Sequence, residues 1–83
     1  MNEIFVKKYW EDEDVLFYMH FENGAAIRQI EITSDNKVYL DVQNPIQGES
    51  MLFDQKLDEL ELNDEDFITK EVFNKAWEEK NCN

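Results

Sequence analysis

The chain has 83 residues, which is enough for one domain whose realistic ceiling is one sheet with one or two helices. Hydrophobic residues make up 42% of it and aromatic residues 13%, which argues against a disordered chain. Twenty acidic residues against eight basic ones give a net charge of −12, which disfavours direct binding to nucleic acid or to an anionic membrane, because both need a basic surface. A basic protein partner or a cation is favoured instead, the alternative being that the acidity only keeps the protein soluble.

Neither end of the sequence indicates export. Met1-Asn2-Glu3-Ile4 has no basic region followed by a long apolar run, so we expect neither a secretory signal nor a membrane span. The single cysteine, Cys82, cannot form an intramolecular disulfide, and nothing suggests an oxidising compartment. We therefore expect a cytoplasmic protein.

The first half of the chain predicts four strands, at residues 4–10, 15–21, 25–33 and 37–42. In the second strand the odd-numbered residues from Val15 to Phe21 share one face, and the even-numbered residues from Leu16 to Glu22 share the other. The fourth strand turns Val38, Leu40 and Val42 inward. Short connections between all four strands predict an antiparallel meander.

Turn residues separate these strands. Asn23-Gly24 is the strongest short hairpin signal, because both positions of that turn need a positive φ. Residues 34–36 form the next turn. The spacing of Ile27, Ile30 and Ile32 breaks strict alternation in the third strand, so we expect a β-bulge near Arg28-Gln29.

The last element is predicted to be a helix at about Thr69–Lys80, with Thr69 as its N-cap. Its apolar stripe consists of Val72, Phe73, Ala76 and Trp77. Leu57 and Leu60 are consistent with one further helical turn. The predicted fold is therefore α+β, with a four-stranded antiparallel meander sheet and a C-terminal helix packed on one face. If the stripe is core, Trp77→Ala should cost roughly 3–5 kcal/mol.

One face of the predicted sheet is unusually aromatic. It carries Leu16, Tyr18, His20 and Tyr39, and also Phe5 and Tyr9. Either the irregular segment 43–58 folds over this face, or the face is a contact surface. We favour the covering segment, because so small a domain needs all the burial it can find.

No catalytic constellation is present in the sequence. His20 is the only histidine, no nucleophile elbow or phosphate-binding glycine loop exists, and zinc ligands are lacking. His20 is best interpreted as a strand residue with a local hydrogen bond. The acidic runs do not match the alternating ligand spacing of a calcium loop. We expect no enzymatic activity, no cofactor and no metal site.

The acidic residues are concentrated in two clusters. The hairpin cluster, Glu11 to Asp14, contributes four negative charges. The second cluster, Asp54 to Asp66, contributes a net six, because Lys56 lies among its seven carboxylates. Clustering costs stability through self-repulsion, which favours a cationic partner surface over simple solvated loops. We expect partner binding through the aromatic residues Tyr9, Trp10 and Tyr18 together with Glu11, Asp12, Glu13, Asp14, Asp54, Asp58, Glu59, Glu61, Asp64, Glu65 and Asp66.

The order of motifs resembles a family of small uncharacterised bacterial domains. The shared motifs are Tyr9-Trp10 with the acidic loop that follows, Arg28-Gln29-Ile30-Glu31-Ile32, Gly48-Glu49, and the closing segment from Ile68-Thr69-Lys70-Glu71 to Trp77. Two departures are visible. Asn36 stands where the family usually has glycine, and Ser50-Met51-Leu52-Phe53 replaces a proline-rich stretch.

This resemblance implies no enzymatic activity and transfers no binding residue. Small acidic bacterial proteins of this kind resemble immunity proteins that neutralise a co-encoded toxin, and many such toxins are basic nucleases. Our leading hypothesis is therefore an immunity protein that covers the active site of a basic toxin, with a ribonuclease as the favoured toxin. The alternatives are a nucleic-acid mimic that inhibits a DNA-binding or RNA-guided enzyme, and a small metal- or ligand-binding domain.

Overall fold

A five-stranded antiparallel sheet forms the centre of the protein. The computed structural model describes residues 2–48 and 50–79, so the positions of Glu49, Lys80 and Cys82 lie outside the described residues. In chain order the elements are β1 (Glu3–Trp10), β2 (Val15–Glu22), β3 (Ala25–Ile32), β4 (Lys37–Asp41), β5 (Ile46–Gln47), β6 (Ser50–Met51), β7 (Phe67–Ile68) and α1 (Lys70–Glu78).

The predicted α+β class and the meander are confirmed. The sheet has the order β4-β3-β2-β1-β7, and its first four strands are joined by short connections. The short strand β7 extends the sheet beside β1, and β5 pairs with β6 in a separate hairpin. The sequence analysis predicted neither of these features. Two 3₁₀ turns, Leu57–Glu59 and Asp64–Asp66, lie between β6 and β7. The first of them is the predicted helical turn.

The turn between β2 and β3 and the bulge in β3 were both expected from the sequence. Asn23 has a φ of 53° and Gly24 a φ of 88°, as a hairpin turn with two positive φ values requires. The bulge in β3 is also present, but it lies slightly before the predicted position. His20 pairs with Arg28 while Phe21 pairs with Ala26, so Ile27 is the extra residue.

The two faces of the sheet are covered by different parts of the chain. α1 packs on the aromatic face, where Phe73 joins Phe5 and Ile30 in one buried cluster. Leu52, Phe53, Leu57, Leu60 and Leu62, which we call the covering segment, pack on the opposite face against Val6, Met19, Phe21 and Ala26. The expectation that the irregular segment covers the aromatic face is therefore wrong, because aromatic packing by Phe73 and Trp77 places α1 there.

Aromatic contacts fix the position of α1. The ring centroids of Phe5 and Phe73 are 5.6 Å apart, and those of Tyr39 and Trp77 are also 5.6 Å apart. Thr69 caps the helix as predicted, because its hydroxyl accepts a hydrogen bond from the Val72 backbone N–H. Phe73 is fully buried, whereas Trp77 is half-buried.

Two predicted core residues lie at the surface. Val72 is 48% exposed, because the side of α1 that faces the sheet is centred on Phe73. Val42 is 67% exposed. Its strand ends one residue earlier, where the Asp41 carboxylate accepts hydrogen bonds from the backbone N–H groups of Gln43 and Asn44 and turns the chain away.

Two polar side chains of β3 attach the two elements that cover the sheet, α1 on one face and the covering segment on the other. On the covering-segment face, the amide oxygen of Gln29 accepts from Phe53 N–H at 2.8 Å, and its Nε2 donates to the Met51 carbonyl at 3.2 Å. On the helix face, Arg28 Nη2 donates to Asn74 Oδ1 at 3.1 Å. Neighbouring residues of one strand therefore hold the two layers.

We expect Phe73→Ala to lower the free energy of unfolding by roughly 3–5 kcal/mol, because it leaves a cavity between α1 and the sheet. Trp77→Ala should cost less than Phe73→Ala, since that side chain is only half-buried. Urea denaturation measures the free energy of unfolding of the native protein and of both variants. Val72→Ala is the control, because Val72 lies on the exposed side of the same helix. An equal loss from Val72→Ala and Phe73→Ala would show that α1 packs differently.

Candidate binding surface around Trp10

The two acidic clusters meet at the end of β1. Trp10, the last residue of that strand, is 40% exposed. It lines a surface groove of about 450 Å³ together with Lys8, Asp12, Glu59, Leu60 and Glu61. Asp12 comes from the hairpin cluster, and Glu59 and Glu61 come from the second cluster. We call this feature the acidic groove.

Local structure explains why Trp10 stands at this point. The chain turns through residues 11–14 between β1 and β2, so Trp10 pairs with Val15 at the end of the hairpin. The indole ring packs edge-on against Phe17, with ring centroids 5.5 Å apart. Loops that extend from a rigid sheet therefore present the carboxylates, while the sheet itself positions the aromatic ring.

A second concavity, next to the acidic groove, is also lined by Trp10. This Glu31 pocket has a volume of about 240 Å³ and is lined by Trp10, Glu13, Phe17, Met19, Gln29, Glu31, Ser50, Met51, Phe53 and Leu60. Trp10 and Leu60 belong to both hollows. Phe17 and Glu31, which both line the pocket, are directly paired neighbours on β2 and β3.

The Glu31 carboxylate is held in one orientation by neutral donors. Its Oε1 accepts from the Ser50 hydroxyl at 3.0 Å, and its Oε2 accepts from Gln29 Nε2 at 2.9 Å. The side chain is half-buried, and within residues 2–48 and 50–79 no lysine or arginine forms an ion pair with it. The sequence suggested no role for Glu31, since it looks like an ordinary polar position in an alternating strand.

Not every predicted acidic residue lies at the groove. Asp54 lines a different, largely apolar cavity of about 500 Å³ near Ala25 and Lys56, toward the turn between β2 and β3. Asp66 has a local structural role, because its carboxylate accepts from Asn63 N–H at 2.8 Å and lies 3.8 Å from Lys8 Nζ. Five further predicted residues are exposed and line neither the acidic groove nor the Glu31 pocket, namely Glu11, Asp14, Asp58, Asp64 and Glu65.

The three predicted aromatic anchors do not share a surface. Tyr9 and Tyr18 lie on the helix side of the sheet, because strand alternation places them opposite to Trp10. The Tyr9 hydroxyl donates to the Asp14 carboxylate, and this hydrogen bond raises the pKa of Tyr9. Tyr18 is half-buried below Lys7, whose Nζ lies 5.7 Å from the ring centroid. Only Trp10 adjoins the acidic groove.

His20 is the buried centre of a polar network that joins β1, β2 and β3. Its Nε2 lies 2.9 Å from Glu3 Oε2, and its Nδ1 accepts a hydrogen bond from Arg28 Nε at 3.0 Å. The ring stacks on Phe5 at a centroid distance of 4.3 Å. Because Nδ1 accepts, the proton of the neutral ring must be on Nε2, which donates to Glu3. The interpretation of His20 as a hydrogen-bonded strand residue is confirmed, although its partners extend well beyond its own strand.

Arg28 completes this network. Its guanidinium carbon lies 4.8 Å from the ring centroid of Phe73 and 5.3 Å from that of Trp77, so the cation packs on both helix aromatics. Burial lowers the pKa of Arg28, and the carboxylates of Glu3 and Asp41 partly oppose that effect. We assign this network to the attachment of α1, because none of its members lines the acidic groove or the Glu31 pocket.

The described residues include no group of three or more His, Cys, Asp or Glu side chains arranged to hold a metal ion. The carboxylates around Trp10 are thus spread along a surface and do not converge on one point. Over the same residues, no helix is long and apolar enough to cross a membrane.

Comparison with protein-family models, with curated proteins and with solved structures finds no significant match. The resemblance to small bacterial immunity-like domains therefore stays a prediction. The function has to be argued from the surface itself.

We expect the free energy of unfolding to fall as the pH is lowered below 6.5, the ordinary pKa of histidine. Burial lowers the pKa of His20 in the folded protein, with the nearby Arg28 acting in the same direction and Glu3 and Glu22 opposing it. Between the folded and the unfolded pKa the unfolded state binds more protons, so stability is complete above 6.5 and declines as the pH falls toward the folded pKa. Protonation would also remove the acceptor that Arg28 uses.

Urea denaturation of the native protein and of His20→Gln at a series of pH values measures this effect. Both proteins carry the same carboxylates, so the difference between the two curves reports on His20 and its contacts. A difference that does not change with pH would contradict the assignment of a neutral, accepting ring.

Proposed function

We propose that this protein binds a basic protein partner and neutralises it, as an immunity protein neutralises a nuclease toxin, by covering the partner's active site. The observation that supports this proposal is the meeting of two acidic clusters around the exposed Trp10. Residues distant in sequence, Asp12 on one side and Glu59 and Glu61 on the other, line one groove with an aromatic residue between them.

The electrostatics of the groove favour a cationic partner. A chain with net charge −12 keeps carboxylates close together despite their mutual repulsion. A nuclease must present lysine and arginine to the phosphates of its substrate, so its active site is its most positive surface. An acidic groove can steer such a surface into place and raise the association rate by about 10–10³-fold.

Charge alone does not give tight binding, and Trp10 supplies the apolar part of the interface. Tryptophan is enriched among the residues that dominate binding energy, especially where it is surrounded by polar groups that exclude water. The ring is supported from below by Phe17, so it is already ordered before binding. An ordered anchor loses little conformational entropy when the complex forms.

The proposal requires no catalysis, cofactor or metal from this chain, and it assigns no direct contact with nucleic acid. Ribonucleases are the favoured partner class, because an RNA-cleaving toxin acts in the cytoplasm, where the protein is expected. A nucleic-acid mimic would use the same carboxylates in place of phosphates, and the identity of the captured partner distinguishes the two functions.

The test compares the native protein with two double variants of equal charge. Glu59→Lys/Glu61→Lys reverses the charge of the groove, and Glu71→Lys/Glu78→Lys makes the same change in net charge at exposed positions of α1, on the opposite face of the sheet. Each protein is immobilised and exposed to a lysate of cells that carry its gene. Proteins retained by the native protein and the control, but not by the groove variant, are identified by mass spectrometry and purified.

We expect the purified partner to be a basic ribonuclease whose cleavage of RNA is stopped by a stoichiometric amount of the native protein. The groove variant should associate at least about tenfold more slowly at low salt, with a weaker dependence on ionic strength, whereas the control should stay near the native rate. An association rate that is indifferent to salt, combined with full inhibition by the groove variant, would refute the proposal. Capture of a DNA-binding enzyme that DNA displaces would support the mimic instead.

A further inference from the structure

We infer that the Glu31 pocket binds the guanidinium group of an arginine side chain, presented by the basic partner. The identity of the partner rests on the proposed function, but the chemistry of the pocket stands on its own geometry. The pocket lies beside the acidic groove and shares Trp10 and Leu60 with it.

The first argument is the state of the Glu31 carboxylate. Ser50 and Gln29 each donate one hydrogen bond to it, one to each oxygen, which orients the group without neutralising it. Each carboxylate oxygen has a second lone pair, so acceptor capacity remains for a ligand. A half-buried carboxylate with no countercharge among the described residues is partly desolvated, so an incoming cation gains more there than at an open surface.

The second argument is the aromatic wall. Trp10 and Phe17 both line the pocket, and their rings meet edge-on with centroids 5.5 Å apart, so aromatic groups make up part of its wall. A cation over an aromatic face is attracted by the ring quadrupole, and tryptophan gives the strongest attraction. Glu13 adds a second carboxylate at the rim. Aromatic faces combined with carboxylates are suited to an organic cation.

Size and shape select arginine. The volume of about 240 Å³ is below the ~300–1,000 Å³ typical of small-molecule sites, which suits one long side chain. The planar guanidinium can donate to both oxygens of one carboxylate and stack on an aromatic ring, whereas an ammonium group does neither as well. Met51, Phe53 and Leu60 supply apolar contacts for the methylene stem.

The probe is N-acetylarginine methylamide, titrated into the ¹⁵N-labelled native protein and followed by NMR. The neutral isostere N-acetylcitrulline methylamide is the matched control for charge. The lysine analogue keeps the charge but lacks the planar set of N–H donors, so it is the control for guanidinium geometry. We expect saturable shifts at the Trp10 indole N–H and the Gln29 side-chain amide with the arginine probe. The lysine analogue should bind more weakly, and the citrulline analogue should give no saturable shift at these groups.

Two variants test the assignment to this pocket. Glu31→Gln keeps the shape but removes the charge, and we expect it to raise the Kd of the probe about tenfold or more. Glu71→Gln removes a charge from the exposed first turn of α1 and should leave the Kd unchanged. Trp10→Leu alters the exposed rim of the pocket and should also weaken binding, so the test stands even if Glu31→Gln does not fold.

The inference is wrong if citrulline and arginine probes shift the same groups equally, or if both pocket variants bind the arginine probe as the native protein does. These outcomes are separate from the test of the proposed function. Probe binding without any ribonuclease partner would support the pocket and refute neutralisation. A partner whose affinity falls with Glu59→Lys/Glu61→Lys but not with Glu31→Gln would support neutralisation and refute the arginine anchor.

Discussion

Two neighbouring polar side chains on β3, Arg28 and Gln29, hold the layers of this protein together. They point to opposite faces of the sheet, and Gln29 is 2% exposed. A buried amide or a partly buried guanidinium costs several kcal/mol when it lacks partners, on the order of 2–7 kcal/mol for a neutral group. Arg28 finds its partners on β2 and α1, and Gln29 finds its partners in and just before the covering segment. Both α1 and the covering segment must therefore be in place for Arg28 and Gln29 to have their hydrogen-bond partners.

The candidate binding surface depends on this arrangement. Gln29 orients Glu31 and fixes the backbone at Met51 and Phe53, which form part of the Glu31 pocket. The covering segment then brings Glu59 and Glu61 beside the hairpin that carries Trp10 and Asp12. The acidic side chains stay in loops, where water screens their repulsion, while the rigid sheet supplies the aromatic ring. Structural polar groups and exposed carboxylates are thus separated within a very small domain.

The candidate site was only partly predictable from the sequence. The sequence alone shows the runs of acidic residues and the aromatic residue beside the first of them. Tyr9 and Trp10 are adjacent in sequence, but strand alternation sends them to opposite faces, so only one of them adjoins the groove. Asp66 looks equivalent to Glu61 in composition, yet it caps a turn and lies near Lys8. Glu31 stood out only as one residue of the Arg28–Ile32 motif, and no binding role was predicted for it, because its hydrogen bonds come from Ser50 and Gln29, which only the folded chain places around it.

The sequence by itself determined the meander, its Asn23-Gly24 turn, the bulged third strand and the capped C-terminal helix. These features follow from local physics, namely side-chain periodicity, positive φ at short turns and side-chain capping of backbone N–H groups. The tertiary structure alone decided which face each cover takes, because both faces of the sheet are apolar and either cover could bury either face. Long-range contacts settled that choice. Phe73 and Trp77 pack against rings of the aromatic face, and Gln29 accepts a hydrogen bond from the Phe53 backbone N–H on the other face. The two acidic clusters meet at Trp10 because the covering segment lies on that face. No local sequence pattern encodes a contact between residues as far apart in the chain as Asp12 and Glu59.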